Sequence, residues 1–113
     1  MAKTLFEKII DREIPGTIVY EDAQCVAFRD INPAAPVHIL LVPRKPIPRL
    51  DSASAEDQAL LGHLMLTAPK IAAAQGYGDA FRIVINNGAG AGQSVFHLHL
   101  HILAGRPLKW PPG

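Results

Sequence analysis

The chain has 113 residues, 49% of them hydrophobic, with 11 Lys and Arg against 10 Asp and Glu and a net charge of +1. That length predicts one domain over residues 1–113 with a modest core, and the near-neutral balance excludes a nucleic-acid or membrane-surface binder that works through bulk charge. One cysteine, Cys25, excludes an internal disulfide framework, and no signal-like or membrane-length apolar run is present, so the expected location is the cytoplasm.

Leu5, Phe6, Ile9 and Ile10 recur at helical spacing behind a Thr4 cap, which predicts a short amphipathic helix ended by Pro15-Gly16. Thr17 to Tyr20 and Cys25 to Arg29 read as strands joined through Glu21-Asp22, a hairpin. Val37 to Val42 is a nearly continuous aliphatic run, suited to a central strand, with His38 as its only polar side chain. Pro43 closes it, and the prolines of residues 44–49 make a connector. Leu60, Leu61, Leu64, Met65, Ala68, Ile71 and Ala72 follow helical spacing behind a cap at Asp51 or Ser54. Pro69 falls inside that pattern and predicts a kink or a join between two helical pieces. Gly76 and Gly78 stop the helix, and Phe81 to Asn86 reads as the fourth strand.

The last strand carries the chemistry. His97-Leu98-His99-Leu100-His101-Ile102 alternates with the period of a strand, which puts three imidazoles on one face and aliphatic residues on the other. Upstream, Asn86 to Ser94 contains Gly88, Gly90 and Gly92, and such a loop can turn backbone N–H groups toward an anion. Three readings of the histidine row stand side by side. Zinc is one, but no acidic or cysteine ligand lies near the row in sequence to complete a site. Surface polarity opposite a core face is another. The third is nucleophilic catalysis, in which a neutral imidazole attacks phosphorus while its other nitrogen holds a hydrogen bond.

The motif His97-Leu98-His99-Leu100-His101-Ile102 resembles the signature of the histidine triad (HIT) superfamily, and within it the Hint branch of nucleotide-binding proteins. The resemblance extends through Phe6-Glu7-Lys8-Ile9-Ile10, Ile14-Pro15, Phe28-Arg29-Asp30-Ile31, Ala35-Pro36-Val37-His38, Gly92-Gln93-Ser94-Val95-Phe96 and Trp110-Pro111-Pro112-Gly113. It implies an α+β fold, a five-stranded antiparallel sheet with two helices, and a homodimer that joins its sheets. It also implies hydrolysis of purine nucleoside phosphoramidates, with AMP or GMP as the nucleotide part and without metal or cofactor. By that resemblance His99 is the nucleophile, His101 contacts the phosphate, and His97 and His38 orient and polarise the centre. Ser94 matches the serine that hydrogen-bonds the leaving group, with an ordinary loop cap as the lesser alternative.

Gly92 and the adjoining Gln93 fall in the phosphate loop, and Asn86 matches a phosphate-side asparagine. Asp30 matches the ribose ligand, or is simply a turn residue before Asn32-Pro33. Phe6, Ile9, Ile14, Phe28 and Ile31 match the base pocket; Phe6 and Ile9 serve equally as core. Trp110 is expected near the neighbouring protomer's site. Asn87 and Pro46 depart from residues that relatives carry, and no role transfers to them. A nucleotide-binding scaffold with vestigial catalysis and a dinucleoside polyphosphate hydrolase or nucleotidyl transferase are the alternatives.

Overall fold

In the computed structural model, which describes residues 2–113, helix α1 spans Leu5–Ile10. Thr4 caps it reciprocally: its hydroxyl accepts the Glu7 N–H and the Glu7 carboxylate accepts the Thr4 N–H. The helix stops earlier than Pro15. Arg12 adopts a left-handed conformation at φ 60°, and the Glu13 N–H turns back to the Lys8 carbonyl, so the chain leaves the helix before the proline is reached.

Strand β1 (Ile18–Glu21) pairs antiparallel with β2 (Cys25–Arg29), the predicted hairpin displaced by one residue at β1. Its turn is held by the Asp22 carboxylate, which accepts from the Gln24 and Cys25 N–H groups. β3 (Val37–Pro43) lies between β2 and β5 (Leu100–Ala104), and β4 (Phe81–Val84) closes the far edge, giving the order β1-β2-β3-β5-β4 with every pairing antiparallel. The fold is thus the expected α+β arrangement of five strands and two helices.

Alternate residues of the central strands feed two packed layers. Cys25, Ala27, Val37, Ile39, Leu41, Leu100, Ile102 and Ala104 pack with Leu64, Ala68, Ile71 and Ala72 of α2 (Gln58–Ala74). On the other face Val26, Phe28, Leu40 and Val42 pack with Phe6 of α1. Because both faces are covered, β3 is buried along its whole length, which is why its sequence reads as a continuous apolar run. Each buried Val, Leu, Ile or Phe side chain among these contributes about 1.5–3 kcal/mol.

Four expectations need correcting. The helix α2 runs unbroken through Pro69 rather than as two pieces, since the half-buried ring lies on a helix already anchored by Leu64 and Ile71 on either side. Asp51 and Ser54 do not cap α2 directly: Asp51 lies in a 3-10 turn, Leu50–Ser52, Ser54 stands just before a second, Ala55–Asp57, and Asp57 stands at the α-helical start. β5 begins at Leu100 instead of His97, and β4 ends at Val84 instead of Asn86. Opposite the missing part of β5 stands Pro43, which has no N–H to give and whose carbonyl is taken by the His97 ring, while the Leu98 N–H goes to Ile47. No helix among the described residues is long and apolar enough to cross a membrane.

Candidate active site

The face of the sheet that α1 covers also holds the histidines. His38 comes from β3, His101 from β5, and His97 and His99 from the extended segment just before β5. A cavity of about 300 Å³ opens here between α1, the end of β2 and the residues after the glycine loop, and His99 and His101 line it. The histidines do not form one displayed row. His97 is fully buried behind the cavity, His99 is 6% exposed, and His101 is half-buried.

Hydrogen-bond partners assign the proton on each neutral ring. His99 Nδ1 lies 2.7 Å from the His97 carbonyl oxygen, which can only accept, so Nδ1 carries the proton and Nε2 keeps the lone pair. His38 Nδ1 accepts the Ala34 N–H at 3.0 Å, so its proton sits on Nε2 and is donated to His101 Nδ1 at 2.9 Å. His101 in turn has its proton on Nε2. One ring therefore offers a nucleophilic nitrogen and its neighbour offers a donor, a division fixed by the backbone of two other segments.

Burial keeps these rings neutral. It pushes His38, His97 and His99 below the usual imidazole range. His101 is pushed down to about 4 by burial and by the neighbouring His99 and His38 rings. The Phe6 ring meets His99 edge-on at 4.8 Å and Phe28 at 5.4 Å, so α1 supplies an aromatic wall beside the nucleophilic ring.

Of the other candidate residues, Phe6, Ile9, Ile14, Phe28, Asp30, Ile31 and Ser94 all line the cavity. Phe6 and Phe28 are buried and serve as core and wall at once, whereas Ile31 is 87% exposed at the rim. Asp30 has one carboxylate oxygen on the Asn32 N–H and the other 3.4 Å from His38 Nε2, so the turn and ribose readings share the residue. Gly92 adopts φ +100°, a conformation side chains resist, and packs beside the Asn86 amide; neither residue lines the cavity.

Gln93 points away from any ligand. Its amide is 3% exposed, accepts the Gly88 N–H and donates to the Pro48 and Val95 carbonyls, so it clamps the loop to the connector. Trp110 is 82% exposed and off the cavity, on a tail that Arg82 holds through the Leu108 and Lys109 carbonyls. The sequence reading missed Leu40 and Val95 in the cavity wall and the anchoring role of Pro43. Their apolar character is shared with every core residue, so nothing local marks them.

Two groups bring three metal-ligand atoms within 4.8 Å of one another: Asp30, His38 and His101, and Asp22, Cys25 and His63. In both, candidate ligand atoms already have hydrogen-bond partners within the protein. In the first, His38 Nε2 and His101 Nδ1 are each other's hydrogen-bond partners. In the second, Asp22 accepts from Tyr20, Gln24, Cys25 and His63, and burial together with that carboxylate pushes the Cys25 thiol up to about 12.

The chain is similar to several known proteins. Over 110 residues it is 66% identical to an uncharacterized HIT-like protein of Synechocystis, covering 97% of this chain and 96% of the relative. It is 48% identical over 112 residues to a 14 kDa zinc-binding protein of Zea mays, covering 97% and 88%. Among solved structures, a HIT family hydrolase from Legionella pneumophila superimposes with a TM-score of 0.95 at 45% identity, covering 98% of this chain and all of that one. A histidine triad nucleotide-binding protein from Candida albicans gives 0.82 at 26% identity, covering 96% and 83%. The HIT domain model matches residues 11–108, a span that takes in β1 to β5 and all five histidines, and the chain belongs to the HIT domain family.

Proposed function

We propose that the protein is a purine nucleoside phosphoramidase of the Hint branch, hydrolysing the P–N bond through a covalent nucleotidyl-histidine. One observation carries this reading: His99 gives its Nδ1 proton to the His97 carbonyl and is left with a bare Nε2 beside a cavity that His101 also lines. The apolar wall of Phe6, Phe28 and Ile9 suits a flat purine, and Asp30 at the same cavity suits the ribose hydroxyls. The Legionella and Candida relatives are named a hydrolase and a nucleotide-binding protein, which agrees with this chemistry.

In the first step His99 Nε2 attacks phosphorus, forming a P–N bond to the imidazole as the bond to the substrate amine breaks. The departing amine takes a proton through the exposed Ser94 hydroxyl, which recovers one from solvent. His101 Nε2–H meets the charge on the phosphoryl oxygens, and the His97 carbonyl steadies the Nδ1–H of the modified ring. Water then attacks phosphorus, the P–imidazole bond breaks, nucleoside monophosphate leaves, one proton passes to solvent and His99 returns neutral.

We take residues 1–113 as a single HIT domain, because Phe6 near one end packs against His99 near the other. A homodimer that joins sheets is supported by the unpaired outer edge of β4 and by Met65 and Leu66, 48% and 71% exposed on α2. The decisive assay is turnover of an adenosine phosphoramidate against diadenosine polyphosphates, after exhaustive dialysis against a chelator. Preferred, undiminished P–N hydrolysis is expected. Activity that is lost on dialysis and restored by zinc alone would replace this reading with one suggested by the name of the maize relative.

A further inference from the structure

We propose that Thr4 is a positioning residue for the nucleophile: its hydroxyl, donating to His97 Nδ1, locks the ring whose own backbone carbonyl orients His99. This rests on the reading of His99 as nucleophile given above.

The hydrogen-bond directions leave little freedom. His97 Nε2 lies 2.7 Å from the Pro43 carbonyl oxygen, an acceptor only, so in the neutral ring Nε2 bears the proton and Nδ1 must accept. The atom that Nδ1 faces is Thr4 Oγ1, 2.8 Å away and 93 residues distant in sequence. Thr4 Oγ1 already accepts the Glu7 N–H at 3.0 Å as the cap of α1, and its single proton is free to go to His97. The ring has 0% exposure, so water does not take over if the hydroxyl is removed; Nδ1 is left buried without a partner. Any rotation that rescues it breaks the bond to Pro43, and with it the ring's hold on the end of β3 that anchors the His97 segment. That peptide's carbonyl holds His99 Nδ1 at 2.7 Å and thereby fixes which nitrogen of His99 is nucleophilic. The same helix sends Phe6 against the His99 ring, so α1 reaches the nucleophile twice, through a hydroxyl and through a ring.

A role confined to helix capping is separated by comparing four variants. Thr4→Val keeps the shape and loses the donor. Thr4→Ser keeps the donor. Glu7→Ala removes the other half of the cap without touching His97. Thr4→Asp caps the helix as well as threonine does but has no proton to give at neutral pH, which drives His97 toward the doubly protonated form. Thr4→Val should lower kcat by about 10-fold or more while KM moves by less than about threefold, and Thr4→Ser should recover most of that loss. Glu7→Ala should lower the melting temperature without the loss in kcat.

Imidazole nitrogen-15 spectra provide a readout that needs no substrate. The wild type should show His97 protonated on Nε2 and His99 on Nδ1; Thr4→Val should disturb both rings, Thr4→Ser neither, and Thr4→Asp should make His97 an imidazolium. Unchanged His99 signals in folded Thr4→Val or Thr4→Asp, or equal losses of kcat in Thr4→Val and Glu7→Ala, overturn the proposal. Failure of the wild type to cleave any phosphoramidate overturns the proposed function instead, and the His99 ring signals then decide the role of Thr4 by themselves.

Discussion

His97, His99 and His101 alternate in one short stretch yet differ in chemistry, because the second nitrogen of each ring meets a different neighbour. For His97 both nitrogens are engaged inside the protein, for His99 one is bound and one is bare, and for His101 the bound nitrogen accepts rather than donates. His99→Ala should therefore abolish turnover while nucleotide still binds, with a loss that can reach on the order of 10⁶ in kcat. Ser94→Ala should cost far less, and most for the poorest leaving groups, since these need the most proton assistance. A rapid quench with labelled substrate checks the first, by acid-labile, alkali-stable label on wild-type protein only, and a leaving-group series checks the second.

Protonation also couples these rings to stability. His38, His97, His99 and His101 hold protons less well folded than unfolded, so their stabilisation is complete above the unfolded value of 6.5 and is lost as pH falls toward the folded values, about 4 for His101. Denaturation midpoints measured from pH 7 to pH 4 should fall steadily across that window; a flat profile would contradict the burial of the rings.

At the scale of elements, the sequence identified both α-helices and all five strands, but not where β5 begins, where β4 ends or that α2 runs on through Pro69. The pattern of His97 to Ile102 alternates throughout, whereas pairing with β3 starts only at Leu100, because the strand opposite runs out at Pro43. A partner strand's proline is not visible in the alternating sequence itself. The helix α2 shows the opposite case, in which local preference is overruled by packing: Leu64, Ala68, Ile71 and Ala72 bury enough surface to carry Pro69 inside a continuous helix. Pro69→Ala restores the missing backbone donor and should stabilise the fold by about 2–2.6 kcal/mol, the proline penalty less the entropy the proline removes from the unfolded chain. Chemical denaturation measures this, and a lower midpoint for the variant would show that the helix is shaped around the proline.

For the whole molecule, the sheet has an outer edge at β4 and an exposed tail carrying Trp110, and both are expected to meet a second copy of the chain. Light scattering at micromolar concentration should report twice the monomer mass, with a monomer mass ruling the dimer out. Trp110→Ala should then alter the preference among leaving groups while barely moving the melting temperature. Equal rate losses for all substrates would separate the tryptophan from the leaving-group side.

By itself the sequence determined the order of the elements and the identity of the chemical groups, because each rests on spacing within a few residues: helical recurrence in α1 and α2, the aliphatic run in β3, and alternating histidines beside a glycine loop; the α+β class was implied by the family resemblance. The candidate residues Phe6, Ile9, Ile14, Phe28, Asp30, Ile31 and Ser94 were legible through the family resemblance and do come together at one cavity. Tertiary structure alone decided which histidine nitrogen is free, that Gln93 clamps a loop, and that Thr4 reaches His97. Those outcomes depend on hydrogen bonds closed between segments far apart in the chain, where the partner is chosen by the packing of α1 and β3 against the histidine segment and leaves no mark on local sequence.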